Sequence, residues 1–372
     1  KLVTTTVTTD WGKVTVCNDW LHEDFIYSAA GDTVTGLSPS GFARYQAGNT
    51  NLCVPGINPK TMQPITTIGP HAFNRYAITN NLNFSTVNFS KSTQLTTIGM
   101  SAFENSASLT QIDFSPLTNL TTIGQRAFLN ASFSKLDLSN NPKLQVIDHN
   151  AFYKSNITDL NLTQNAQLSK IGDYSFYSST FTTSGLNLKG NPELAYIGAN
   201  AFYTAKLTTL DLTNNSKLVM IGNAAFNNAL LGSLDLSNCT SLSHIGNSAF
   251  FNSPLTNLQF AENSPLTYIG DDAFKNAILS TLDATTLVNI EYFGPRSFNL
   301  SPIQGLDLSQ CVNLKVIGTN AFYTAPLQES FDLSNLKKLE IIGNAAFYKA
   351  YSLKNLDLSG LTNLRYIGVQ AF

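Results

Sequence analysis

A chain of 372 residues with 43% apolar residues, 12% charged residues and a formal charge of −2 can bury a large core, and its near-neutrality removes the usual argument for a nucleic-acid partner. Its 22 Lys and Arg are scattered singly, and no apolar run reaches the roughly 18–20 residues of a transmembrane helix. Four cysteines are too few to build a scaffold of this size from disulfides.

The first residues, KLVTTTVTTDW, lack the charged start and apolar centre of an export signal, so a mature or trimmed soluble piece is expected. Low Lys and Glu beside abundant Asn, Ser and Thr suits an exported protein better than a cytosolic enzyme. Residues 1–60 carry both tryptophans, Trp11 and Trp20, the alternating KVTVC, and then TVTGLSPSG and NLCVPG. They share no pattern with residues 61–372. A stacked array must cover its first apolar face, so 1–60 is expected to form an N-terminal capping segment before a repeat domain at 61–372.

In the second region the pattern Ile, Gly, two variable residues, a small residue and Phe occurs thirteen times. Its Phe positions are 73, 103, 128, 152, 176, 202, 226, 250, 274, 298, 322, 347 and 372, so the period settles at 24 to 26 after intervals of 30 and 25. Between signatures lie segments such as LDLSNNPKLQVI (136–147) and LDLSGLTNLRYI (356–367). In L-x-L both Leu point inward from a short strand and the middle residue faces solvent. The Gly after Ile is replaced once, by Asp148, which suits a position of positive φ. Ala-Phe is expected to open a short helical turn that drops the ring inside. Three residues on stands a small residue, Ser106 or Ala131 for example, with Tyr76 the exception. One turn cannot bury its apolar face alone; stacked turns share a continuous core. The chain stops at Phe372 in mid-turn with no polar cap, and the natural protein is expected to continue.

Over about residues 62–372 these motifs resemble the leucine-rich repeat, and I-G-x-x-A-F resembles its BspA-like subclass of bacterial and parasite surface proteins. NLCVPG is similar to the leading segment of such proteins. The resemblance implies an α/β leucine-rich repeat solenoid: a curved right-handed superhelix of about thirteen 24-residue turns, with parallel strands on the concave face and short helical turns opposite. It also implies an interior ladder at the position after L-x-L-x-x, filled here by Asn141, Asn165, Asn191, Asn215, Cys239, Asn263 and Cys311, with Leu117, Leu287, Leu336 and Leu361 in the other copies. Cys239 and Cys311 then read as buried structural thiols. Cys17 and Cys53 both fall in the capping segment, and small caps in an oxidising exterior are commonly stapled, so a disulfide between them is expected.

No catalytic constellation emerges. His22, His71, His149 and His244 lie in different places along the array, and there is no phosphate loop, H-E-x-x-H or C-x-x-C. The residue inside L-x-L is an acid eight times and never a base: Asp113, Asp137, Asp211, Asp235, Asp283, Asp307, Asp332 and Asp357. At strand spacing these carboxylates repel one another. Either each accepts from the Ser or Thr two residues on and keeps an edge soluble, or the file is an acidic strip for a basic or cation-bridged partner. A second column, Tyr153, Tyr177, Tyr203, Phe251, Tyr323 and Tyr348, follows the signature Phe and reads first as packing between turns. The expected function is non-enzymatic and cofactor-free: a monomeric extracellular recognition module on a bacterial cell surface or secreted. Its resemblance implies an adhesin for a host matrix glycoprotein such as fibronectin or fibrinogen, or for another cell-surface protein. A rigid spacer and a glycan-binding module are the alternatives.

Overall fold

A computed structural model describes residues 10–78, 80–181 and 185–372. The chain winds into a solenoid whose longest feature is a 15-stranded sheet. Most of its strands are two residues long, the signature Ile and the residue before it. Thr97–Ile98 pairs in parallel with Thr122–Ile123, that with Val146–Ile147, and the series runs on to Ile341–Ile342 and Tyr366–Ile367.

Sequence pattern places the strand in L-x-L instead. Those segments are extended but ladder only in pairs: Asn51–Cys53 with Thr86–Asn88, Lys135–Asp137 with Asp159–Asn161, Leu186–Asn187 with Leu210–Asp211, and Ser233–Leu236 with Asn257–Phe260. The difference lies in the glycine. After each Ile, the Gly lets adjacent backbones close to hydrogen-bond distance, as from Gly99 N to Ile68 O and from Gly246 N to Ile221 O, both 2.8 Å.

The reason for that glycine differs from the expected one. Among the described residues no signature Gly has positive φ; the left-handed residue comes two places later, at Ser101, Arg126, Asn200, Ser248 and Asp272 for example. What requires Gly is close approach, since a Cβ on Gly246 would lie 2.5 Å from Asn223 N and 2.6 Å from the carbonyl carbon of Gly222. Asp148, the one exception, has a longer bond to the preceding turn: its N lies 3.0 Å from Ile123 O, against 2.8 Å for Gly172 on Ile147.

The Ala-Phe segments are single turns closed by i to i+3 bonds, such as Ala102 N to Gly99 O and Ser106 N to Phe103 O, both 3.2 Å. They do not grow into helices because their remaining N–H groups bond to the next turn, Phe103 to Ala127 O and Phe128 to Ala151 O at 2.8 Å. Rings inside stack from turn to turn: Phe103 on Phe128 at 5.3 Å, Phe202 on Phe226 and Phe250 on Phe274 at 5.4 Å. The small-residue column lets turns meet, and its serines also bond across them: Ser155, Ser253 and Ser301 Oγ donate to Phe128, Ala229 and Ala277 O at 2.8–2.9 Å.

At the N-terminal end Thr33–Leu37 joins the sheet in parallel beside Thr67–Ile68, and Phe25–Tyr27 adds to it antiparallel. The only α-helix among the described residues, Pro39–Gln46, starts at Ser38, whose Oγ accepts from Gly41 N. Buried Asp24 is satisfied by Arg44 Nε at 2.6 Å, Leu21 N at 2.8 Å and Ser40 Oγ at 3.0 Å. Trp20 is buried and donates its indole N–H to Asn51 O at 2.8 Å. Cys17 and Cys53 are joined by a disulfide, with Cα atoms 5.7 Å apart.

Candidate recognition surface

Behind the L-x-L segments runs the interior ladder. Asn165 Nδ2 donates to Leu138 O and Asn141 O, both at 2.9 Å, and Asn141, Asn191 and Asn215 repeat the arrangement at 2.9–3.0 Å. In each case the amide adds a second hydrogen bond to carbonyls that already accept within their own turn, as Leu138 O does from Asn141 N at 3.1 Å, and so ties one turn to the next. Cys239 and Cys311 sit in the same column, buried, with Sγ 3.6 Å from Leu212 O and from Ala284 O.

Asn263 does not join them. It is exposed in a left-handed conformation (φ 47°), and Ser264 is buried instead. Proline explains the change. In the ladder turn at Asn141 the proline is the next residue, Pro142, whereas here it is Pro265, two places on. A residue before proline is pushed out of the right-handed helical region, so Ser264 cannot make the usual tight turn. Its Oγ accepts from Leu266 N at 3.2 Å.

Burial, with a smaller contribution from Asp235 and Asp307, pushes the thiols of Cys239 and Cys311 up to about 12. Thiolate is the reactive form. Neither cysteine should react with a thiol reagent at pH 8 in the native protein, and both should react within seconds in denaturant; rapid native labelling would contradict their place in the ladder.

The eight aspartates of the file have a shared local geometry. In every one Oδ1 accepts from the backbone N–H two residues on, from Ser115, Ser139, Thr213, Ser237, Thr285, Ser309, Ser334 and Ser359, at 2.8–3.1 Å. This Asx turn ends the extended segment and fixes the carboxylate. Asn88, Asn161 and Asn187 make the same bond in three of the four copies that lack an acid, the fourth carrying Gln259. Hydrogen bonds from Ser139 and Ser359, side chain then backbone, hold Asp137 and Asp357 below their ordinary value; at Asp332 the backbone of Ser334 leads. All but half-buried Asp211 are exposed.

The tyrosines after the signature Phe stack between turns: Tyr153 on Tyr177 at 4.9 Å, Tyr177 on Tyr203 at 5.3 Å, Tyr323 on Tyr348 at 4.8 Å. Lys154, Lys275 and Lys349 lie over Tyr153, Phe251 and Tyr348 at 5.3–5.6 Å. At least one face of each of these rings is therefore covered within the molecule.

A second aromatic row, on the long sheet, arises from the residue before the signature Ile and has no counterpart among the sequence expectations. His244 stacks on Tyr268 at 4.4 Å and Tyr268 on Tyr292 at 4.7 Å. Burial lowers the His244 pKa and so favours the neutral ring. Tyr268, Tyr292 and Tyr196 hydroxyls donate to Asn247, Asp271 and Asp173 at 2.6–2.8 Å. Burial, then the bond to Asp173, raises Tyr196 to about 12. The signal was available: aromatics recur at this column in multiples of the repeat. His149 belongs to the same side, its Nδ1 accepting from Asp173 N at 2.8 Å. His22 bonds the Tyr27 hydroxyl at 2.8 Å in the N-terminal segment, and His71 contacts Asn74, so the four histidines do not converge.

The family model described as BspA type Leucine rich repeat region matches in six copies, over residues 66–188, 169–304 and 267–372. Comparison with curated proteins finds no match. Among solved structures, the functional domain of InlJ from Listeria monocytogenes, described as including a cysteine ladder, superposes with a TM-score of 0.50 at 19% identity over 82% of this chain. The match spans 58% of that domain's length. A leucine-rich repeat protein from Bacteroides ovatus gives 0.45 at 19% identity, covering 95% of this chain and 91% of its own. The pneumococcal vaccine antigen PcpA gives 0.39 at 18% identity, covering 93% and 78%. At 19% identity the likeness to the InlJ domain is one of fold alone.

Proposed function

Because the chain belongs to the BspA-type leucine-rich repeat family, we propose that it is a non-catalytic recognition module of a bacterial surface or secreted protein, acting as a monomer and binding protein through the face that carries the aspartate file. Among the described residues no helix is long and apolar enough to cross a membrane, and no group of three or more His, Cys, Asp or Glu side chains is arranged to hold a metal. The observation that carries the reading is the Asx geometry. Each carboxylate of the file is fixed by a backbone N–H before any partner arrives. A preorganised row costs little ordering on association.

A file of fixed acids selects basic patches and gives salt-sensitive binding, since exposed charges are screened over about 8 Å at physiological ionic strength. The partner proposed is a host matrix glycoprotein, with fibronectin and fibrinogen the first to try, or another cell-surface protein. The test is binding of the purified chain to both immobilised glycoproteins between 50 and 500 mM salt. Saturable binding that weakens as salt rises is expected; no binding to either removes the adhesin reading. In that event the same Asx bonds favour the second reading, a rigid spacer whose aspartates end strands and keep an edge soluble.

A further inference from the structure

Two places after each signature Gly stands a residue in the left-handed conformation, filled by small or polar side chains such as Ser101, Asn150, Asn200 and Ser248. In DYSFY, residues 173–177, that place holds Tyr174, with φ 57°. A bulky ring is uncommon there. The backbone around it is nevertheless held: Tyr174 N bonds to Ala199 O at 2.8 Å, and Tyr177 N closes the turn on Tyr174 O at 3.2 Å. Tyr174 and Tyr177 therefore leave the same turn, and Tyr174 flanks the row formed by Tyr153, Tyr177 and Tyr203.

That row is stacked face to face, with planes 15° apart between Tyr153 and Tyr177 and 6° apart between Tyr177 and Tyr203. Tyr174 stands across it. Its ring centroid is 5.8 Å from that of Tyr177 with planes 48° apart, and 6.2 Å from that of Tyr153 at 62°. The difference matters chemically, because a bond between two phenols joins the carbons ortho to the hydroxyls, and the rings must then meet at their edges. The stacked pairs Tyr268 with Tyr292 and Tyr323 with Tyr348 lie parallel, at 2° and 4°, and present faces instead. Cations separate the rings further: Lys154 lies over Tyr153 and Lys349 over Tyr348, and a cation over a ring opposes the loss of an electron. Among the described residues no Lys lies over Tyr174 or Tyr177. Tyr174 is 39% exposed, within reach of an oxidant at the surface, whereas the thiols of Cys239 and Cys311 are buried.

We propose that Tyr174 and Tyr177 form an oxidative modification site, in which hydrogen peroxide and a haem peroxidase join the two rings as a dityrosine. Each phenol gives one electron to the peroxidase and its hydroxyl proton to water. The two radicals pair as a bond between ortho carbons. Each of those carbons then passes its hydrogen, as a proton, to its own ring's oxygen through solvent, and both rings regain aromaticity. The chain loses two hydrogen atoms, and one peroxide is reduced to two waters. The site goes beyond the protein-recognition reading and lies on the signature turns, not on the segments that carry the aspartate file. No binding partner enters its test.

The experiment exposes the purified chain, in dilute solution, to hydrogen peroxide and a haem peroxidase. Two rings on one short segment meet at an effective concentration of about 1 mM or more, so at roughly 1 μM chain coupling within a molecule outruns coupling between molecules. A monomeric product lighter by two hydrogens is expected, with dityrosine fluorescence and a cross-link mapped by mass spectrometry to Tyr174 and Tyr177. Tyr174→Phe and Tyr177→Phe should each lower the yield of that product at least tenfold, because phenylalanine keeps the ring and lacks the hydroxyl that is oxidised. Tyr351→Phe is the control for exposure alone: that ring is 82% exposed and has no ring neighbour among the described residues. It should leave the yield unchanged. The proposal is overturned if no such monomeric product forms, if Tyr174→Phe yields as much of it as the parent, or if the mapped bond joins another pair of tyrosines.

Discussion

Phe202→Ala is expected to destabilise the protein by about 3–5 kcal/mol, the range for removing a buried phenylalanine. Its ring is fully buried in mid-stack, 5.2 Å from Phe176, 5.4 Å from Phe226 and edge-on to Phe181 at 6.2 Å. The backbones on either side are tied by inter-turn bonds, such as Phe202 N to Ala225 O at 2.8 Å, so the turns cannot slide together to fill the hole. In a solenoid each turn is held mainly by its neighbours, and a weakened interface at this point can also split the unfolding transition in two. Urea unfolding followed by circular dichroism measures both effects. A loss below about 1 kcal/mol would mean that the stack is not the core it looks to be.

Gly246→Ala is expected to cost about 1–3 kcal/mol, although it adds one methyl group and leaves φ in an ordinary region. The added carbon would meet Asn223 N at 2.5 Å and Asn223 Oδ1 at 2.6 Å. That same oxygen accepts from Asn247 N at 2.8 Å, so relief of the clash strains a bond between turns. Gly232→Ala is the control, because a Cβ there meets nothing within 4 Å; it should be neutral or slightly stabilising. Equal effects at the two positions would refute close approach as the reason for the signature glycine.

These cases mark how much could be read from the chain. Period, inward Phe, small-residue column and aspartate file are one-dimensional patterns, and a stacked array converts such patterns directly into rows. Three things depended on backbone geometry that residue types do not encode. L-x-L and x-Ile are both extended dipeptide frames, and which one ladders continuously is decided by how closely the glycine lets adjacent turns approach. Asn263 has the right residue at the right place in the repeat, and is displaced because the neighbouring proline stands at Pro265. The antiparallel pairing of Arg75–Tyr76 with Asn80–Asn81 arises in an irregular insertion between Phe73 and Phe103, where the repeat offers no template. On the candidate surface the file itself was visible in the sequence, while the Asx bonds that pin the acids and the stacking that partners the two aromatic rows are seen only in three dimensions.

The claim that the aspartate face recognises a protein is tested most directly by replacing Asp211, Asp235, Asp283 and Asp307 with Asn together. Asn88, Asn161 and Asn187 already make the same Oδ1 bond in this file, so the variant should fold with an unchanged unfolding midpoint while four charges are removed. Its affinity for immobilised fibronectin or fibrinogen, whichever the parent binds, is then compared with the parent's at 50 mM salt. The account predicts binding at least tenfold weaker and a shallower salt dependence; a folded variant that binds as tightly as the parent contradicts it.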